Sequence, residues 1–300
     1  MTAGTPAAEV AVSESLVAAL VRTQHPDFDG PLRLVANGWD NAVYRLGTAW
    51  SVRLPRRAVA VPLLVNEQRW LPRLAPRLPV PVPVPAAVGE PAGSYPWPWS
   101  INPWLPGHPA TAVPVAERVA FAADLAHTFA ALHVPAPADA PPNAFRGVPL
   151  SDRTEPVRER LAGGGFPAGL AAAWEEALAA PPWTGPPVWL HADPHPANLL
   201  AGDDGRLAAL IDFGDLTSGD PATDLAAAWM VFDAAGRAVF RETYAALAPL
   251  EDATDDATWR RARGWALSIG SAIAASSADN PAMAAIGAHA LDQVLLPDGR

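Results

Sequence analysis

The chain has 300 residues, half of them hydrophobic, and a net charge of −10 at neutral pH. That length fits two domains or one two-lobed unit, and the acidic balance argues against an extended basic surface for nucleic acid while being compatible with a cationic substrate. Cysteine is absent, which excludes disulfides, thiolate zinc sites and cysteine nucleophiles. No apolar run reaches membrane-spanning length, and the N-terminus lacks the basic and apolar stretches of a secretory signal, so a cytoplasmic protein without a membrane partner is expected.

Leu16, Val17, Leu20 and Val21 recur at helical spacing between residues 13 and 24, with Ser13 or Ser15 as the cap. Three short β-type runs follow, at residues 32–35, 42–46 and 50–54, with Gly47-Thr48 as a hairpin turn between the last two. Gly38-Trp39-Asp40-Asn41 joins the first two runs. It is either an ordinary turn or a loop whose glycine lets backbone approach a phosphate. Residues 61–74 have Leu64, Glu67, Leu71 and Leu74 on one helical face, and Pro72 is predicted to end or kink that helix. Proline alternates with valine from Pro79 to Pro85, which predicts an extended connector. Residues 86–88 and 95–104 give two more strands. Residues 115–133 form a long apolar-periodic segment, in which His127 and His133 are surface or packing residues. Helices are predicted over 152–161, 170–180, 222–232, 237–247, 257–277 and 281–296. The Gly163–Gly165 triplet follows no strand and lacks a flanking Lys-Ser/Thr, so it has no phosphate role.

The chemistry concentrates between residues 188 and 215. Val188-Trp189-Leu190 and residues 207–211 are apolar runs, each leading into a polar stretch: His191-Ala192-Asp193-Pro194-His195-Pro196-Ala197-Asn198 and Asp212-Phe213-Gly214-Asp215. Polar residues at the ends of buried strands sit on loops held by a rigid frame. Asp193 can orient a hydroxyl or accept its proton. Asn198 and Asp212 offer hard oxygen ligands that suit magnesium, which is normally completed by water and phosphates. His191, Asp193 and Asn198 follow the H-x-D-x-x-x-x-N spacing of kinase catalytic loops, and Asp212-Phe213-Gly214 follows the D-F-G that comes after that loop in kinases.

These two stretches resemble the paired signatures of the aminoglycoside phosphotransferase family, H-G-D-x-H-P-x-N-L-L and I-D-F/W-G/E-D. Ala192 and Ala197 stand where glycine is common there. Val52-Arg53-Leu54-Pro55-Arg56 resembles the wording of a macrolide-kinase-like branch. The resemblance implies an α+β, bilobal protein-kinase-like fold. A small antiparallel-sheet lobe, residues 1–101, would bind nucleotide, and a mostly helical lobe, residues 102–300, would carry catalysis and the acceptor. It implies an antibiotic-resistance-like phosphotransferase that moves the γ-phosphoryl group of ATP or GTP to a small-molecule hydroxyl, with Mg²⁺ as cofactor.

The implied roles are carried over residue by residue. Asp193 is the base and His191 braces its loop, while Asn198 and Asp212 hold magnesium. Arg53 stands where kinases place a phosphate-binding lysine, with Glu67 as its helix partner; as an always-charged planar group it is not equivalent to lysine. Gly38 and Asn41 belong to the phosphate-covering loop, and the backbone near Ile101 and Asn102 to the hinge that grips the base. Asp220 caps a helix before Pro221, and Asp224 binds loop amides from beneath. The acidic run of Glu251, Asp252, Asp255 and Asp256 is either an acceptor-lining group or a solvated helix cap. Two other classes are weighed. A catalytically silent nucleotide-binding pseudokinase is motivated by arginine at the lysine position. A metal-dependent phosphoester hydrolase would need a denser ligand set than seven scattered histidines suggest.

Overall fold

In the computed structural model, which describes residues 6–297, the chain begins with helix α1 (Glu14–Gln24). The Ser13 hydroxyl caps it by accepting from the Leu16 amide at 3.2 Å, and Val17, Leu20 and Val21 are buried. Strands β1 (Leu32–Asn37), β2 (Asn41–Leu46) and β3 (Trp50–Pro55) then pair antiparallel in sequence order. Ala42, Tyr44 and Leu46 alternate inward along β2, which fixes its register against α1. Helix α2 (Val61–Leu74) comes next. It runs through Pro72 to Leu74, so the helix does not end at the proline. Only two residues follow the proline, and the buried Trp70, Leu71 and Leu74 hold the last turn on the core, offsetting one lost backbone bond.

Residues 79–85 are extended, as their prolines dictate. Strands β4 (Ala87–Gly89) and β5 (Trp99–Pro103) complete a five-stranded antiparallel sheet of order β1-β2-β3-β5-β4. β5 is shorter than residues 95–104; Tyr95 instead buries its ring and donates its hydroxyl to the Pro55 carbonyl at 2.9 Å. β5 also continues past residue 101, so the expected division between lobes falls inside a strand.

The rest is largely helical. After β6 (His108–Pro109), the segment 115–121 is a 3₁₀ turn and only α3 (Ala122–Leu132) is α-helical. Helices α4 (Thr154–Ala162) and α5 (Gly169–Leu178) precede four short strands: β7 (Val188–Leu190), β8 (Leu199–Ala201), β9 (Leu207–Leu210) and β10 (Thr217–Gly219). β7 pairs antiparallel with β10, and β8 pairs with β6 and β9. The single helix expected over 222–232 is two short pieces, α6 (Ala222–Leu225) and α7 (Ala227–Met230), followed by α8 (Ala234–Leu247), α9 (Asp256–Ser276) and α10 (Pro281–Leu295). One core joins these helices around Trp174, Trp229 and Trp265, and α2 contributes Trp70, Leu71 and Leu74 to it. α2 thereby stands on the helical lobe while belonging to the sheet lobe. Among the described residues no helix is long and apolar enough to cross a membrane.

Candidate active site

The catalytic loop leaves β7 at His191 and enters β8 at Leu199; the second polar stretch leaves β9 at Ile211. Two backbone conformations aim it. Ala192 (φ 70°) and Asp212 (φ 62°) both sit in the left-handed region, which costs a non-glycine residue about 1–2 kcal/mol. Tertiary contacts hold them there. The buried Asp224 carboxylate accepts from the His191 amide at 2.8 Å and from the Ala192 amide at 2.6 Å. His133 Nε2 stands 3.1 Å from the same carboxylate, and its Nδ1 2.7 Å from the Tyr244 hydroxyl. His133 is therefore a buried strut of the loop rather than a simple packing residue. Asp220 accepts from Arg261 Nε at 2.7 Å and from the Ala222 amide at 3.0 Å.

His191 faces inward. Its Nε2 donates to the Ile211 carbonyl (2.9 Å) and its Nδ1 accepts from the Asp193 amide (3.2 Å), which fixes the neutral tautomer protonated at Nε2. Its ring packs edge-on against Phe213, with centroids 4.7 Å apart. One imidazole thus ties the two polar stretches together. The Ile211 amide adds a 2.9 Å bond to the Asn198 carbonyl, placing Asp212 beside Asn198.

Asn198 Nδ2 donates to Asp193 Oδ2 at 2.9 Å, and His195 Nε2 stands 3.1 Å from the same oxygen. Burial alone would raise the Asp193 carboxyl. The neighbouring His195, with Arg146 farther off, overrides that and holds it well below the usual carboxylate range. Asp193 is thus an anion at neutral pH. Because the Asn198 amide nitrogen is committed to Asp193, its oxygen is the end left for a cation.

Arg53 spans the two lobes. It donates from Nη1 to Glu67 Oε2 at 2.6 Å and from Nη2 to Asp212 Oδ1 at 2.7 Å. The Asn41 amide, with its oxygen toward Arg53, accepts from Nη2 at 3.1 Å and Nε at 3.2 Å. Burial works against the Arg53 charge, but the two carboxylates more than restore it. The structure brings Arg53, Glu67, Asp212 and Asn41 into one cluster. Gly38 closes the β1–β2 turn by donating to the Asn41 carbonyl at 3.0 Å. Arg56 bonds the Gly38 carbonyl, and Arg57 bonds Trp39 O (3.1 Å) and Asp40 Oδ1 (2.7 Å), so the turn is tied down by side chains the sequence gave no reason to single out. Ile101 and Asn102 lie elsewhere. Ile101 is buried within β5, its carbonyl accepting from the Ala86 amide at 2.8 Å, and the Asn102 side chain donates inward to the Pro83 carbonyl at 3.0 Å. The Ile101 side chain does not join the cluster; Asn102 touches its edge through Glu67.

A family model described as the phosphotransferase enzyme family (APH) matches residues 31–265. The chain belongs to that family. A comparison with curated proteins found no match. Solved structures share the fold of this APH-family protein. An aminoglycoside 2'-phosphotransferase-IIIa variant bound to GDP is 17% identical over 94% of this chain and 97% of its own, with a TM-score of 0.67. A macrolide 2'-phosphotransferase from Brachybacterium faecium is 25% identical over 94% and 99%, with a TM-score of 0.61. A type I macrolide 2'-phosphotransferase is 22% identical over 93% and 98%, with a TM-score of 0.65. The expected family and α+β kinase-like fold are as the sequence implied, and the protein is a nucleotide-dependent phosphotransferase acting on small-molecule hydroxyls.

Sequence reasoning gave no role to three residues that the structure places near Asp193. Asp215 stands beside Asp193 and accepts from Asn143 Nδ2 at 2.8 Å. Burial raises its carboxyl, and the Asp193 charge raises it further. Asn143 and Arg146 come from the loop before α4, which no local pattern marks. Asp255 caps α9 by accepting from the Thr258 amide at 2.6 Å, the capping alternative for that acidic run; the Glu251 side chain lies outside the described residues.

Proposed function

We propose that this chain transfers the γ-phosphoryl group of ATP or GTP to a hydroxyl of a small acceptor, at the floor formed by Asp193, Asn198 and Asp212. The observation that carries it is the Arg53 guanidinium clasped between Glu67 and Asp212. It joins the sheet lobe to the catalytic floor through the same charge pattern that kinases place around nucleotide phosphates. In this reading the sheet lobe, through the end of β5, covers the nucleotide and the helical lobe after it presents the acceptor. Gly38 and Asn41 sit at the turn over the phosphates, and the β5 backbone near Ile101 and Asn102 borders the base.

The donor set fits magnesium. Asn198 supplies a neutral oxygen and Asp212 a carboxylate, from the ends of neighbouring strands; two protein ligands with phosphates and water complete a magnesium shell. Among the described residues no group of three or more His, Asp or Glu is placed to hold a metal alone, a density the hydrolase alternative requires. When bound, magnesium neutralises phosphate charge. The acceptor oxygen bonds to the γ-phosphorus, the bond from that phosphorus to the β–γ bridging oxygen breaks, and the hydroxyl proton passes to Asp193. His191 and Asp224 hold Asp193 in place, and Asn198 and His195 fix its outer oxygen. Removal of a general base costs about 10²–10⁴-fold in rate. Asp193→Asn should therefore lower turnover in an ADP-release assay by at least that lower bound; an unchanged rate rejects the assignment.

A pseudokinase is the second reading, because Arg53 is already engaged by two carboxylates and an asparagine. Magnesium-dependent nucleotide binding with no turnover across aminoglycosides, macrolides and other alcohols would favour it.

A further inference from the structure

The loop from Asn143 to Gly147 is fastened to the catalytic strands. Asn143 Oδ1 accepts from the Phe145 amide (2.8 Å) and the Arg146 amide (3.1 Å), while its Nδ2 holds Asp215. Gly147 (φ 70°) lies on β10 with no space for a β-carbon: one built there would stand 2.9 Å from the Ser218 carbonyl. This fixes Arg146 in electrostatic range of Asp193, His195 and Asp215.

Two further arginines lie in electrostatic range of Arg146. Arg153 lies over the Phe145 ring at 5.5 Å, and Phe145, in the same loop as Asn143 and Arg146, is 61% exposed. Arg160 reaches α9, donating to Ser271 Oγ and the Ser268 carbonyl, both at 3.1 Å. None of the three guanidiniums forms an ion pair among the described residues, and the buried Nε atoms of Arg146 and Arg153 have no hydrogen-bond partner. Asp152 and Glu159 attract Arg153 and Arg160 only from a distance. Burial and mutual repulsion lower the affinity of both for their protons, Arg160 to about 10. Guanidinium donors left unpaired in partly buried surroundings are costly, and their fork geometry matches carboxylate and phosphate. Perturbed charges of this kind concentrate at binding sites.

We propose that Arg146 and Arg153, backed by Arg160, bind an anionic group on the acceptor, so that the substrate is a hydroxyl-bearing carboxylate or phosphate rather than a polycationic aminoglycoside. The hydroxyl would sit at Asp193 and the anion farther out, against Arg146 and Arg153, with Phe145 covering the apolar part. The inference rests on the phosphotransfer reading above.

The test uses the full chain, ATP and magnesium in an ADP-release assay, with sugar acids, sugar phosphates, kanamycin, a macrolide and neutral sugars as acceptors. Thermal shift with ADP-magnesium and the same compounds is the parallel binding readout. One anionic arm should exceed kanamycin in kcat/KM by at least ten-fold, and which arm wins separates carboxylate from phosphate. Arg153→Ala should raise that acceptor's KM by about ten-fold with kcat and nucleotide KM little changed, and Arg153→Lys should recover only part of the loss. A preference for kanamycin, the macrolide or neutral sugars overturns the inference, as does a panel with no anionic hit in either readout, or an anionic substrate indifferent to Arg153→Ala. Failure to bind ADP-magnesium at all would instead sink the phosphotransfer reading.

Discussion

Replacing Arg53 by methionine tests the charge cluster most directly. Glu67 is 0% exposed, its Oε2 accepts from Arg53 at 2.6 Å, and its Oε1 has no other partner. The variant therefore leaves a buried carboxylate with no cation to pair with. Removing one member of a buried pair costs about 3–5 kcal/mol. The second contact, to Asp212, adds little, because that carboxylate is 51% exposed and screened by water; exposed pairs are worth about 0–1 kcal/mol. Arg53→Met should thus lose about 3–5 kcal/mol in urea unfolding followed by tryptophan fluorescence. Pairing it with Glu67→Met removes both charges, and the double variant should regain most of that loss, since apolar replacements of a buried pair are often neutral. Magnesium-nucleotide affinity should fall in both. A single-variant cost below about 1 kcal/mol, or a double variant no more stable than Arg53→Met, would refute the view that burial of Glu67 depends on Arg53.

Other outcomes follow from neighbouring contacts. Asp224→Asn replaces a carboxylate that accepts from two amides with a side chain that has one oxygen; the orphaned buried amide should cost about 1–3 kcal/mol, and turnover should fall with it, both measured on the same preparation. Gly219→Ala places a β-carbon 1.9 Å from the Gly147 carbonyl oxygen, so β10 and the Asn143–Gly147 loop must separate. Overpacking costs about 1–3 kcal/mol, and loss of both stability and acceptor turnover is expected, with a silent variant arguing against that contact. His289 is partly buried, and this desolvation, with Arg118 close by, lowers its pKa below the ordinary histidine value; Asp292, Asp233 and the Phe232 backbone oppose this. A depressed folded pKa gives stability that is complete above the unfolded value of about 6.5 and is lost as pH falls through the folded one. Unfolding free energy should therefore drop from pH 7 to pH 5, and His289→Gln should flatten that slope; an equal slope in both proteins would reject the assignment.

The sequence by itself determined the family and the class of fold. His191, Asp193, Asn198 and Asp212 signalled both because they stand at fixed spacings on short loops between apolar strands, and such local order survives into the structure. The Ser13 cap and the inward alternation of β2 were legible for the same reason, since each depends only on residues a few positions apart. The pairing of Arg53 with Glu67 was legible through family resemblance, not spacing. Only the tertiary structure decided the rest. Pro72 stays helical because a distant core holds its turn. His133 becomes a strut because Tyr244 and Asp224 reach it across more than ninety residues of chain. Asn143, Arg146 and Arg153 carry no local signature at all. They acquire a role because Gly147 and Gly219 let two backbones touch, and a contact between segments this far apart leaves no periodicity in the chain to be read.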